Sequence, residues 1–147
     1  MTAICFVDTN ILVYACDPGH PQKHGLARDW LRHLWTTRTG RISTQVLKEY
    51  YQVVTRKLEP GLPPEKARAD IRDLHTWQPV DIDLDVLELA WALEDQTNYS
   101  WWDALILAAA QRAKCHYLLS EDLQPDHTIN NLTIINPFTH SINEVSP

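Results

Sequence analysis

Long apolar runs are missing from this sequence. No stretch approaches the ~18 uninterrupted apolar residues of a membrane span, so no partner membrane is expected. The amino-terminal residues lack the basic start and small-residue cleavage site of a secretory signal, so none is expected either. Cysteine is scarce: Cys5, Cys16 and Cys115 are odd in number, sit in apolar settings and form no CxxC. They read as reduced thiols of a cytoplasmic protein. The 7 histidines are scattered, which argues against a structural zinc site. Positive charge is short as well, with 13 Lys and Arg against 19 Asp and Glu and a net charge of −6. Taken over the whole chain, that balance argues against a nucleic-acid partner.

The distribution of charge argues otherwise. Between Pro21 and Arg72 stand eleven basic residues against five acids, a surplus of six, and the remainder of the chain carries two basic residues against fourteen acids. A basic stretch beside a carboxylate-rich one suits either a phosphate-facing surface or simply solvated helix faces. Arg28, Arg32, Arg41 and Lys48 are the candidate phosphate contacts in it. At 147 residues and 44% hydrophobic content, the chain is expected to form one domain, 1–147, with a sizeable core.

Periodicity gives the order of elements. Ala3 to Val7 is a continuous apolar run, as in a strand buried on both faces. A brief helix, Ile11 to Cys16, follows with Asn10 as its cap, and then a helix over 24–37 with Ala27, Trp30, Leu31 and Leu34 at helical spacing. "RIS" is a minimal second strand; helices are expected over 45–58 and 64–75, with Pro64 in the first turn of the latter. "VDIDL" alternates as an edge strand would, and an amphipathic helix follows over 85–97. "DALILAAAQRAKC" is a buried helix, "HYLLS" and "LTIIN" are strands, and the tail after Phe138 is expected to be loosely held. Strands alternating with helices predict an α/β fold with a mostly parallel sheet. Trp30, Trp77 and Trp91 fall at core positions, whereas Trp35, Trp101 and Trp102 are expected to be more exposed, for base stacking or an interface.

In an open parallel sheet, ligands collect beyond the carboxyl ends of the strands. Asp8 ends the first strand, Glu121 and Asp122 follow "YLLS", Asp103 opens the buried helix and Glu49 lies in the first turns of another. Singly, each has an ordinary explanation: a turn, a helix cap, a solvated side chain or a polar loop. Jointly, carboxylates gathered at one point would repel and resist burial unless a cation neutralised them. A hard divalent ion, Mg2+ or Mn2+, fits oxygen ligands. Ser100, Ser120, Thr9 and Asn10 stand close enough in sequence to orient these acids.

With those residues collected, "FVDTNILVYA", "VLKEYYQVV", "SWWDALILAAA", "YLLSEDLQ" and "TIINPF" resemble, in order, the blocks of the PIN domain, and especially its VapC-type toxins. The resemblance spans Ile4 to Phe138. It implies a three-layer α/β/α sandwich that hydrolyses RNA with Mg2+ or Mn2+. It implies metal-binding acids at Asp8, Glu49, Asp103 and Asp122, supported by Thr9 or Asn10 and Ser120, with Glu121 beside Asp122. It further implies a homodimer held inactive by a VapB-type antitoxin wrapping a groove between helices, for which the exposed faces of 24–37 and 45–58 are the candidates. No His or Cys carries a nucleophile motif, so attack by a metal-activated water is expected. A haloacid-dehalogenase-type phosphatase also begins with a strand ending in Asp, but needs a second Asp where this chain has Asn10. A non-catalytic RNA- or protein-binding module would be expected to have lost an acid, and none is lost. A nuclease of RNA processing outside any toxin–antitoxin pair is the alternative to the toxin.

Overall fold

The computed structural model describes residues 3–145. Strand β1 (Cys5–Val7) is entirely buried, as an apolar run with no polar alternation must be when both sheet faces are covered. It pairs in parallel with β2 (Gly40–Arg41) on one side and β3 (Tyr117–Leu119) on the other, in the register Phe6↔Arg41 and Phe6↔Leu118. Beyond β3 lie β5 (Leu132–Ile135), again parallel, and β4 (Thr128–Ile129), antiparallel to β5. The sheet order is β2-β1-β3-β5-β4, mostly parallel.

Helices complete a three-layer α/β/α sandwich. α1 (Thr9–Tyr14) packs on α2 (Pro21–Thr37) and α3 (Thr44–Arg56), and α3 packs on α4 (Pro64–Leu74). α5 (Leu84–Gln96) and α6 (Trp101–Arg112) pack on each other. α6 is buried along its length from Ala104 to Ala110, which is why it is apolar on every side. Pro21 and Pro64 occupy first-turn positions, where a missing N–H costs nothing. Ser43 and Ser100 cap α3 and α6 by accepting from the N–H three residues on. Trp30 spans the core and donates from Nε1 to the Pro137 carbonyl at 2.9 Å. Among the described residues no helix is long and apolar enough to cross a membrane.

Three expectations need correction here, and one hairpin is additional. "VDIDL" is not a strand: only Val80 bridges to Ser43, and Asp83 leaves the sheet to cap α5 by accepting from the Val86 N–H at 3.0 Å. The alternation that suggested a strand is a helix entry. The hairpin β4–β5 was not expected; Asn130 and Asn131 both take positive φ (50° and 71°), the conformation a two-residue hairpin turn requires and Asn tolerates. Trp91 is 44% exposed rather than core, its ring stacked on Trp101 at 6.4 Å. The tail is tied down as far as it is described. Ser141 and Glu144 cap each other, His140 contacts Asp126 and Glu144, and Val145 is buried; Ser146 and Pro147 lie outside the described residues.

Candidate functional site

Because β1 and β3 are adjacent and parallel, the segments leaving them open on the same edge of the sheet. Asp8 leaves β1 with extended backbone (φ −72°, ψ 156°), and its Oδ1 accepts from the Thr9 N–H at 2.8 Å. Asp8 itself is therefore the cap of α1. The expected cap, Asn10, sits inside the helix, and its side chain does other work. Asn10 Nδ2 donates to Asp122 Oδ2 at 3.0 Å and to Asp8 Oδ2 at 3.4 Å, while Oδ1 accepts from the Glu121 N–H at 3.3 Å.

Ser120, fully buried at the end of β3, joins the same acids. Its hydroxyl donates to Asp8 Oδ2 at 2.7 Å and accepts from the N–H groups of Asp122 (3.2 Å) and Leu123 (3.4 Å). One hydroxyl thus fixes the buried carboxylate and shapes the loop that carries Asp122. Glu49 projects from α3 toward α1, where Oε2 accepts from Thr9 Oγ1 at 2.9 Å. Its Oε1 accepts from Gln45 Nε2 at 2.9 Å, and the same amide reaches the Trp102 carbonyl at 3.4 Å. Asp103 lies in the first turn of α6, its N–H on Ser100 Oγ at 3.2 Å.

The electrostatics bind the four acids into one group. Burial raises Asp8 to about 6; hydrogen bonds from Ser120 and Thr9 oppose the rise, and the charges of Glu49 and Asp122 add to it. Asp103 is raised too, first by burial and then by Asp122 and Glu49, against a hydrogen bond from Ser100. Among the described residues, none of Asp8, Glu49, Asp103 and Asp122 forms an ion pair with a basic side chain. Nor do three or more His, Cys, Asp or Glu side chains, among those residues, form a ready-made metal cage. The carboxylates point instead at the neutral donors of Thr9, Asn10, Gln45 and Ser120. The donor set is all oxygen and its negative charge is uncompensated, which is the chemistry a hard divalent cation fits.

Glu121 stands apart from that group. Its carboxylate accepts from Tyr14 OH at 2.8 Å and pairs with Lys23 Nζ at 2.6 Å, which in turn lies 5.1 Å from the centre of the Tyr14 ring. Lys23 and Tyr14 depress its pKa although burial alone would raise it. Glu121 clamps its loop to α1 and α2 while Asp122 faces the other acids. The basic candidates are dispersed. Arg28 and Arg32 line an 880 Å3 groove between α2 and α4, and Arg32 pairs with Asp29. Arg41 ends β2 and donates to the carbonyls of Arg38 and Gly40, whereas Lys48 is exposed on α3 next to Glu49. Sequence reasoning missed Gln45, Tyr14 and Lys23. Only Gln45 carried a signal, standing four residues before Glu49 on the same helical face.

The profile described as PIN domain matches residues 5–128. No match is found among curated protein sequences. Among solved structures, a toxin–antitoxin complex from Klebsiella pneumoniae superposes with a TM-score of 0.64 at 20% identity, over 90% of this chain and 97% of that one. Mycobacterium tuberculosis VapC20, described as a sarcin–ricin-loop-cleaving toxin, gives 0.60 at 25% identity, over 80% and 91%. VapBC2 from Rickettsia felis, bound to a DNA fragment from its promoter, gives 0.61 at 18% identity, over 90% and 98%.

Proposed function

We propose, since this chain belongs to the PIN-domain family, that it is an endoribonuclease dependent on Mg2+ or Mn2+ and the toxin of a toxin–antitoxin pair. The observation that carries this reading is Asp8. A buried carboxylate raised to about 6, feeling the charges of Glu49 and Asp122 and facing only neutral donors, suits a cation the protein itself does not supply. Asp8, Asp103 and Asp122 would hold the ion, with Glu49 completing the set. An ion held there would supply a water of lowered pKa and positive charge against the scissile phosphate. The chain's own groups do the positioning. Ser120 and Asn10 keep Asp8 and Asp122 on one edge, and Thr9 and Gln45 hold the two oxygens of Glu49.

The structural neighbours described as toxin–antitoxin complexes support a protein antitoxin as partner. The groove between α2 and α4, with Leu12, Leu31 and Leu74 on its wall and Arg28 at its rim, is where we place it. That shifts the candidate surface from helices 24–37 and 45–58 toward α4. Exposed Leu84, Trp91 and Trp102 offer an apolar face for a second copy. The reading takes the chain as one PIN domain acting in the cytoplasm on cellular RNA, where the thiols of Cys5, Cys16 and Cys115 stay unpaired. Induced expression in bacteria tests it: growth arrest with metal-dependent RNA cuts is expected for the unaltered chain and absent for Asp8→Asn. Equal toxicity of Asp8→Asn would refute the nuclease.

A further inference from the structure

Beside the acids lies a recess of about 600 Å3 that the chemistry above leaves unused. Its walls are the two loops that deliver Asp103 and Asp122. One wall is Gln96, Asn98 and Tyr99, immediately before the Ser100 cap of α6; the other is Gln124, two residues after Asp122, with His127 and Asn130. No Asp, Glu, Lys or Arg lines it, although it borders a carboxylate cluster. That composition suits neither a phosphate, which needs cations, nor a metal ion, which needs charge. It suits a flat, neutral molecule with hydrogen-bonding edges.

Two features select a nucleobase among such molecules. Tyr99 and His127 stack at 6.0 Å with an interplanar angle of 29°, and Tyr99 OH and His127 Nδ1 are hydrogen-bonded at 3.1 Å, so each ring holds the other in place. Every base offers a π-face to such rings. The side-chain amides of Gln96, Asn98, Gln124 and Asn130 each present a donor and an acceptor, the pairing that reads a base edge in unpaired RNA. The recess also adjoins two of the acids along the chain, Tyr99 standing four residues before Asp103 and Gln124 two after Asp122. The Asp103 charge acts on the Tyr99 hydroxyl, and the Tyr99 N–H is anchored on Thr97 Oγ1 at 3.2 Å.

We infer that the recess between the 96–99 loop and the 124–130 segment is a base-recognition subsite. It takes one unstacked nucleotide of the RNA next to the bond that the acids cut. The inference rests on the nuclease reading and deepens it. The test cleaves a randomised RNA with the unaltered protein, Gln124→Ala and His127→Ala, and sequences the ends. Gln124 is exposed and His127 half-buried, and unchanged melting temperatures check folding. The unaltered protein is expected to prefer one or two bases at a single position beside the cut, and each variant to flatten that preference about tenfold, in line with the 1–3 kcal/mol of a base-edge contact. A preference unchanged by both variants, or no preference at all, overturns the subsite and leaves the nuclease standing. In parallel, Asp8→Asn protein, with and without His127→Ala, is titrated into fluorescein-labelled A8, C8 and U8 RNA. The subsite requires affinities that differ among the three and converge by about tenfold in the double variant; equal affinities throughout overturn it. Should the unaltered protein cut nothing, the nuclease reading fails on its own, and the binding titration still decides the subsite.

Discussion

Asp8 shows how a single residue can be an ordinary helix cap and a chemical group at once. Its carboxylate satisfies the first N–H of α1, yet it is buried and raised from 3.8 to about 6. The sign of the stability effect follows. Folding favours the protonated form, so this group's contribution is fully present below about pH 4 and is lost as pH rises to about 6, at a cost on the order of 3 kcal/mol. Asp103 shifts in the same direction. On the proposed reading, a divalent ion would compete with the proton for these acids and restore the loss. Thermal unfolding with and without 5 mM (about) Mg2+ is expected to show stabilisation at pH 7.5 that fades toward pH 5. Equal stabilisation at both values would mean the ion binds elsewhere. Asp8, Ser120 and Asp122 were legible because strand ends announce themselves in an apolar pattern. Gln45 was not, since one amide in an amphipathic helix looks like any other polar residue. The separation of Glu121 from Asp122 depends on Tyr14 and Lys23, which stand at the opposite end of the sequence.

At the scale of elements, the sequence pattern succeeded where burial is uniform and failed where pairing is short. The continuous apolar run before Asp8 and the all-apolar helix after Asp103 could be read directly, because elements covered on every side need no alternation. "VDIDL" imitates a strand because Asp81 and Asp83 are exposed around a half-buried Ile82, yet Asp83 is claimed by the cap of α5. β4 is two residues long and exists only through the Asn130–Asn131 turn. β2 is equally short, and its place depends on a close approach: a Cβ added at Gly40 would meet Trp77 ring atoms at 2.5–2.8 Å. Gly40→Ala is therefore expected to cost about 1–3 kcal/mol, read as a lower urea midpoint with unchanged slope. An unchanged midpoint would mean that Trp77 swings aside freely.

For the molecule as a whole, the fold divides its surface by chemistry. The acids gather toward one edge of the sheet, a neutral amide-lined recess adjoins the loops of two of them, and the basic surplus of the first half is spread over α2, α3 and α4, with Arg28, Arg32 and Lys66 at the groove. The overall acidity thus coexists with a phosphate-cutting reading, because the charge that approaches phosphate is to be supplied by a bound cation rather than by the chain. Everything in that reading converges on metal-dependent cleavage through Asp8. The direct measurement incubates purified protein and its Asp8→Asn variant with total cellular RNA, in Mg2+, in Mn2+ and in EDTA, and follows RNA length on a denaturing gel. Discrete cleavage is expected only from the unaltered protein with metal. Full cleavage in EDTA, or undiminished cleavage by Asp8→Asn, would contradict the account.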